Sequence, residues 1–214
     1  MASVMKDLAE EWVALPGGDD LRLLRPRDAE ALLTEEAFTH EELLPYWAEL
    51  WSSSLVLARA LSVRSLRGAP TLELGCGLGL VAVAAARAGA RVTATDWSAP
   101  AVELTARNAE ANGVELESLR CSWQLPDELV ARGPWPLILA SDVLYDRGNV
   151  GLLLGLLPRL AGPRSEVLIA DPQRPPAADF VARAMQRWDV ETRLAPGVPR
   201  VSLHRLRPRP QPAG

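Results

Sequence analysis

Residues 71–80 read TLELGCGLGL. A short apolar run carrying one acid, Glu73, breaks into Gly75, Gly77 and Gly79, and an Ala-rich helical pattern begins at once. A strand that breaks into glycines and restarts as a helix lets a ligand touch the backbone beside a helix N-terminus. A dinucleotide fingerprint needs its third glycine three positions after the second. Here Gly79 comes two positions after Gly77, and position 80 is Leu80. Asp96 follows Gly79 by 17 residues, at the end of the next apolar run. An acid there can accept hydrogen bonds from both ribose hydroxyls of a nucleoside. Glu73, at the first turn, would repel a pyrophosphate and suits a ligand with positive charge. Adenosine with a cationic tail describes S-adenosylmethionine, with its sulfonium and ammonium groups. Indole rings can hold both parts, by stacking on adenine and by cation–π attraction of roughly 0.5–2 kcal/mol. A nicotinamide-dinucleotide oxidoreductase fails on the glycine spacing and on Glu73.

The elements that must position these residues alternate. Strand patterns at 71–75, 91–95, 117–122, 136–141 and 166–170 are separated by helical patterns at 79–88, 99–112, 126–131 and 149–161; another covers 176–188. This order predicts an α/β fold, a Rossmann-like doubly wound sheet with right-handed crossovers. Ligands in such sheets sit at the carboxyl ends of the strands. The informative residues are therefore Gly75–Gly79, Asp96, Trp97, Ser122, Trp123, Asp142 and Asp171. Strands at 189–194 and 200–206 have no helix between them and are expected to pair antiparallel at the sheet edge, making seven strands in all.

Upstream, Val4, Leu8, Trp12 and Leu15 have helical spacing, and Pro16-Gly17-Gly18 ends that pattern. Residues 21–25 form a short strand candidate. A second helical piece carries Ala29, Leu32, Leu33 and Phe38. Residues 45–51, PYWAELW, hold three aromatics in seven positions. Ser52–Ser54 offer a cap for a helix reaching about Arg67. The expected organisation is an N-terminal helical cap over 1–68, a core domain over 69–207 and a disordered Pro-rich tail over 208–214.

Composition excludes several classes. The 214 residues are 48% hydrophobic and 23% charged, ordinary for one soluble domain. The net charge is −4 and the pI about 5.3, which argues against a nucleic-acid partner held by phosphate contacts. Lys6 is the only lysine, a codon bias expected of a GC-rich bacterial genome. Cys76 and Cys121 are too few for a metal site of their own or a disulfide framework. The acidic N-terminus is unlike a signal peptide, and Leu78–Ala86 is far shorter than the ~20 residues that span a bilayer. A cytoplasmic protein without membrane partner is expected, provisionally a monomer. His40 and His204 read as structural, Cys76 and Cys121 as small buried groups.

In order and spacing, ELGCGLG, ATDWS and ASDVLY resemble the class I, seven-β-strand S-adenosylmethionine-dependent methyltransferases. Within them the chain is similar to the branch of protein lysine methyltransferases acting on chaperones, elongation factors and the electron-transfer flavoprotein β-subunit. The resemblance runs from about Pro45 to the end. It implies a cofactor site of Trp51, Glu73, Gly75, Cys76, Gly77, Gly79, Asp96, Trp97, Trp123 and Ser141. Ser122 stands where relatives usually carry an Asp. The branch's D-x-x-Y motif is present as Asp142–Tyr145, which implies catalytic roles for Asp142 and Tyr145. The stretch Asp171–Arg174, DPQR, places Arg174 on the substrate side with Tyr46 and Trp47. No metal is implied.

Methyl transfer requires a lone pair aligned behind the sulfonium methyl, with water excluded. A lysine acceptor must first lose a proton from an amine of ordinary pKa ~10.4. Asp142 is expected to hold that amine, yet a carboxylate favours the ammonium form, so the proton is expected to leave to solvent. Tyr145 is expected to form a wall and orient the nucleophile. The N-P-P-Y or D-P-P-Y of base and glutamine methyltransferases is absent. Protein lysine methylation is the leading reading. A small-molecule acceptor, such as a nicotinamide-like heterocycle or a natural product, stays open, as does a non-catalytic cofactor-binding interaction protein.

Overall fold

The alternating patterns close into one seven-stranded sheet in the computed structural model, which describes residues 7–18, 20–29, 32, 44–198 and 200–210. In chain order the strands are β1 (Leu8–Val13), β2 (Leu21–Pro26), β3 (Pro70–Leu74), β4 (Arg91–Asp96), β5 (Glu117–Arg120), β6 (Leu137–Ser141), β7 (Glu166–Asp171), β8 (Trp188–Leu194) and β9 (Ser202–Pro208). The helices are α1 (Ser52–Ser62), α2 (Leu80–Arg87), α3 (Ala99–Ala111), α4 (Asp127–Ala131), α5 (Arg147–Leu160) and α6 (Pro175–Ala184). A 3₁₀ turn spans Tyr46–Ala48.

The sheet order is β5-β4-β3-β6-β7-β9-β8. β3 to β7 are mutually parallel, and β9 runs against both β7 and β8. The antiparallel pair lies at the edge as expected. The reversed strand itself is not the edge strand; it sits between β7 and β8. Both faces of the central strands β3, β6 and β7 are covered, which is why they read as largely apolar runs, whereas the edge strand β5 is only partly buried. Leu72, Leu74, Ile138 and Ile169 face α4, α5 and α6, with Phe180 at their centre. Leu139, Leu168 and Ala170 face α1 and α2 through Leu57, Leu61 and Val81.

The N-terminal region departs from expectation. Residues 8–13 form a strand, not a helix, paired antiparallel with β2 from Leu8↔Pro26 to Val13↔Leu21. Trp12, placed by helical spacing on an inner face, is 63% exposed, while Val13, Leu21 and Leu23 are buried. Glu10, Glu11 and Asp7 pair across the hairpin with Arg22, Arg25 and Arg27, an arrangement of opposite charges that a lone helix would not offer. The free edge of β2 is closed by two side chains of one helical face. Asn108 accepts from the Leu24 N–H and donates to the Leu24 carbonyl; Asn112 does the same for Arg22. Those amides replace a third strand and dock the hairpin on α3. Among the described residues, the N-terminal region consists of a hairpin, the 3₁₀ turn and α1. The second expected helix and His40 fall largely outside the described residues.

Two boundaries also move. α1 stops at Ser62, short of the expected Arg67. β9 continues to Pro208, past the expected start of the tail, and Arg209 donates its N–H to the Arg187 carbonyl. Proline is tolerated at that position because the ladder ends there. Residues 211–214 lie outside the described residues.

Candidate active site

A cavity of about 690 Å³ opens at the carboxyl ends of β3, β4 and β6, a size typical of ligand sites. Its floor is the glycine turn. Gly77 has a left-handed φ of 51°, and a Cβ there would come within 3.3 Å of the Trp47 carbonyl oxygen. Only glycine lets the 45–51 segment lie this close over the turn. Gly79 serves packing: with φ 78°, its Cβ would meet Thr105 at 2.7–2.9 Å, so α2 and α3 close on each other there. Gly79, expected as a cofactor contact, does not line the cavity; it caps the start of α2.

Asp96 lines the cavity and holds the turn in shape. Its Oδ2 accepts the Gly77 N–H at 3.0 Å and its Oδ1 the Ser98 N–H at 2.9 Å. Burial pushes its carboxyl up, and the amides of Ser98, Gly77 and Trp97 pull it back. Each oxygen keeps a lone pair for an incoming donor. Trp97, half exposed, and Trp123, half-buried, form the walls of this end. Ser122 donates to Gln124 Oε1, so the corner left without the usual Asp is furnished by a glutamine that sequence reasoning missed.

Glu73 does not line the cavity either. Leu72 and Leu74 face α4–α6, so alternation along β3 turns Glu73 to the opposite face, beneath the glycine turn. It is fully buried, and neither carboxyl oxygen has a hydrogen-bond partner. Burial pushes its pKa well above the ordinary carboxylate range. Cys76 and Cys121 are buried free thiols on the cavity wall, and burial pushes both up. His204 is buried on β9 with Nδ1 at 2.9 Å from Thr192 Oγ1, away from the cavity.

The other end is an aromatic mouth. The Tyr46 ring lies 5.5 Å from Tyr145 and 6.4 Å from Trp51. The Trp51 indole N–H donates to the Tyr46 carbonyl at 2.9 Å, which ties the 3₁₀ turn to the start of α1. Trp47, Ser141 and Asp142 complete this wall. Tyr145 is exposed at the rim; burial of its hydroxyl pushes the phenol up, so it is protonated at neutral pH.

Asp142 sits in the left-handed region, with φ 57°, a conformation seldom adopted outside glycine. It is buried, and within the chain its carboxylate has two side-chain partners that the sequence reading did not name. Oδ2 accepts the Ser53 hydroxyl at 2.7 Å. Oδ1 accepts Arg174 Nε at 2.8 Å and Nη2 at 2.6 Å. Arg174, expected on the substrate side, is not among the residues that line the cavity: it bonds Asp142, with its guanidinium 5.4 Å from the Trp51 ring centroid. Ser53 was missed. The serine run read as a cap, yet Ser53 reaches Asp142 and Ser54 donates to the Trp51 carbonyl.

Asp171 completes the cluster. Fully buried, it accepts the Arg174 N–H on Oδ1 at 2.8 Å and leaves Oδ2 without a partner. Burial, with the Asp142 charge adding to it, pushes its pKa up to about 6. A folded-state pKa above the unfolded value means that ionisation opposes folding. Asp171 thus weakens stability as pH rises from about 4 to about 6. Asp171→Asn is expected to gain stability relative to wild type on going from pH 4 to pH 7.5, measured as the difference between urea midpoints. A constant difference would contradict this.

Residues 41–187 match a family described as lysine methyltransferase. The chain is 35% identical over 160 residues to the Xenopus laevis electron transfer flavoprotein beta subunit lysine methyltransferase, covering 72% of this chain and 62% of that protein. It is 35% identical over 130 residues to the mouse protein N-lysine methyltransferase METTL21A, covering 58% and 59%. The chain thus spans about three fifths of the length of these relatives. Among solved structures, a T. thermophilus 16S rRNA N2 G1207 methyltransferase in complex with AdoMet and guanosine superposes with a TM-score of 0.68. The match has 16% identity and covers 95% of this chain and 51% of that one. At that identity the likeness is one of fold.

Proposed function

This chain belongs to the lysine methyltransferase family, and we propose that it transfers a methyl group from S-adenosylmethionine to a lysine side chain of a protein. The observation that carries this reading is the aromatic mouth of Tyr46, Trp51 and Tyr145 with the Asp142 carboxylate at its inner wall. Aromatic faces and a carboxylate attract a cationic side chain and hold it near the cavity.

The other end of the cavity fits the cofactor. Gly75 and Gly77 line that end with backbone alone, Asp96 has free lone pairs for ribose hydroxyls, and the buried Glu73, whose carboxyl oxygens have no partner, lies beneath the turn. Bound there, S-adenosylmethionine supplies an electrophilic methyl carbon on a cationic sulfur. Gly77, Asp96, Trp97 and Trp123 would hold it. The work of the remaining residues is alignment and exclusion of water. Asp142 Oδ2 keeps one lone pair to orient the amine. Tyr145, protonated, orients it through its hydroxyl and is no base. The acceptor's proton leaves through the open mouth to solvent. A bacterial cytoplasm is the proposed setting, supported by two free, buried cysteines and by the arginine bias. Among the described residues no helix is long and apolar enough to cross a membrane.

Titration calorimetry with S-adenosylmethionine and with NAD tests the cofactor; tighter binding of NAD would overturn the reading. Tritiated methyl transfer into a desalted bacterial lysate tests the acceptor. Label is expected in macromolecular protein, and label confined to small molecules would contradict a protein substrate.

A further inference from the structure

A carboxylate facing a lysine raises a difficulty that Asp142 alone cannot resolve. It draws the amine in but stabilises the ammonium, which has no lone pair to attack with. The structure supplies a counterweight. Resting on the lysine reading above, we propose that Arg174 is a positioning residue that offsets the charge of Asp142 and so favours the neutral, nucleophilic form of the acceptor amine.

The geometry is specific. Two guanidinium N–H groups converge on one oxygen of Asp142, and the Ser53 hydroxyl takes the other. Three donors leave Asp142 able to orient an amine but much less able to stabilise a full positive charge. Arg174 is itself fixed at both ends, by its own N–H to Asp171 and by the Trp51 ring beneath its guanidinium. The strain is local as well: Asp142 and Gln173, the neighbour of Arg174, both have left-handed φ.

The charged and titratable groups around Arg174 can be named by element. Asp142 faces it from the end of β6, and Asp171 from the end of β7. From α1 and the segment before it come the uncharged Ser53 and Trp51. At the cavity rim stand Tyr46, Glu49, Tyr145 and the exposed Asp146, and on the cofactor side Asp96 and Glu73. With Asp142 and Asp171 both ionised, the cluster carries one net negative charge with Arg174 and two without it. Removing the arginine leaves the amine opposite two uncompensated carboxylates.

The test compares wild type, R174Q and R174K. Initial rates of tritiated methyl transfer into protein of a desalted lysate are followed from pH 6.5 to 10, with S-adenosylmethionine affinity by calorimetry alongside. R174Q is expected to move the apparent pKa of the rate upward by about one unit. Its rate would then fall roughly tenfold at pH 7 and recover toward wild type at pH 10. Cofactor affinity should stay within a few-fold, and R174K, which keeps the charge, should keep the wild-type profile. A rate lowered by the same factor at every pH would show a merely structural arginine and overturn the proposal. So would an R174K profile displaced as far as that of R174Q. If R174Q loses cofactor binding, D142N takes its place. Removing the carboxylate should move the profile of the residual rate to lower pH, and an unmoved profile overturns the proposal. Wild type that labels no protein at any pH would instead overturn the lysine reading itself.

Discussion

Replacing Asp142 with alanine is expected to cut methyl transfer by about a hundredfold or more while leaving S-adenosylmethionine affinity within a few-fold. Asp142 is a buried carboxylate that lines the cavity wall beside the aromatic mouth, and it is the junction of Ser53 and Arg174. Its removal takes away the group that orients the amine and releases the arginine behind it. The cofactor end, built on Gly77 and Asp96, is untouched. D142N is the control for fold, because asparagine tolerates the left-handed backbone that Asp142 adopts at φ 57° better than alanine does. Initial rates and calorimetry on the same preparations separate the two effects. Full turnover by D142A would remove Asp142 from the chemistry.

The converse result is expected of Asp96→Ala, with cofactor affinity falling about a hundredfold or more. The carboxylate does two things at once. It holds the Gly77 and Ser98 amides, which shapes the glycine turn, and it presents the remaining lone pairs to the cavity. A hydrogen bond to a charged group contributes about 1.5–3 kcal/mol, and 2.7 kcal/mol corresponds to a hundredfold in affinity. Loss of two such bonds and of the ordered turn reaches that range readily. Calorimetric affinity within a few-fold of wild type would show that the ribose end lies elsewhere.

Where the sequence was legible, the signal was local. β3, β4, β6 and β7 and their helices show as largely apolar runs and helical periods, and the ends of β3 to β6 mark cavity residues. In the N-terminal hairpin the second strand was legible at 21–25 but the first was not, because its inward set includes Val13 but not Trp12, and helical spacing fits the apolar residues equally well. What decides for strand is remote: Asn108 and Asn112, 84 and 90 residues from their partners on β2. The site divides in the same way. Asp96, the glycine turn and the 45–51 aromatics were readable from type and spacing. Ser53, which bonds Asp142 across 89 residues, and the turning of Arg174 onto Asp142 were not. A family motif marks such residues without showing which of them face each other. Glu73 shows the limit of spacing in another form: the acid was found, but strand alternation places it beneath the turn.

In the proposed reaction the acceptor atom is a lysine side-chain nitrogen. The most direct measurement is amino-acid analysis of acid hydrolysates of lysate protein labelled by the enzyme with tritiated S-adenosylmethionine. Radioactivity is expected to co-elute with methylated lysine and to be lost when Asp142 is replaced by alanine. Label that co-elutes with another methylated residue, with none at methylated lysine, would contradict it.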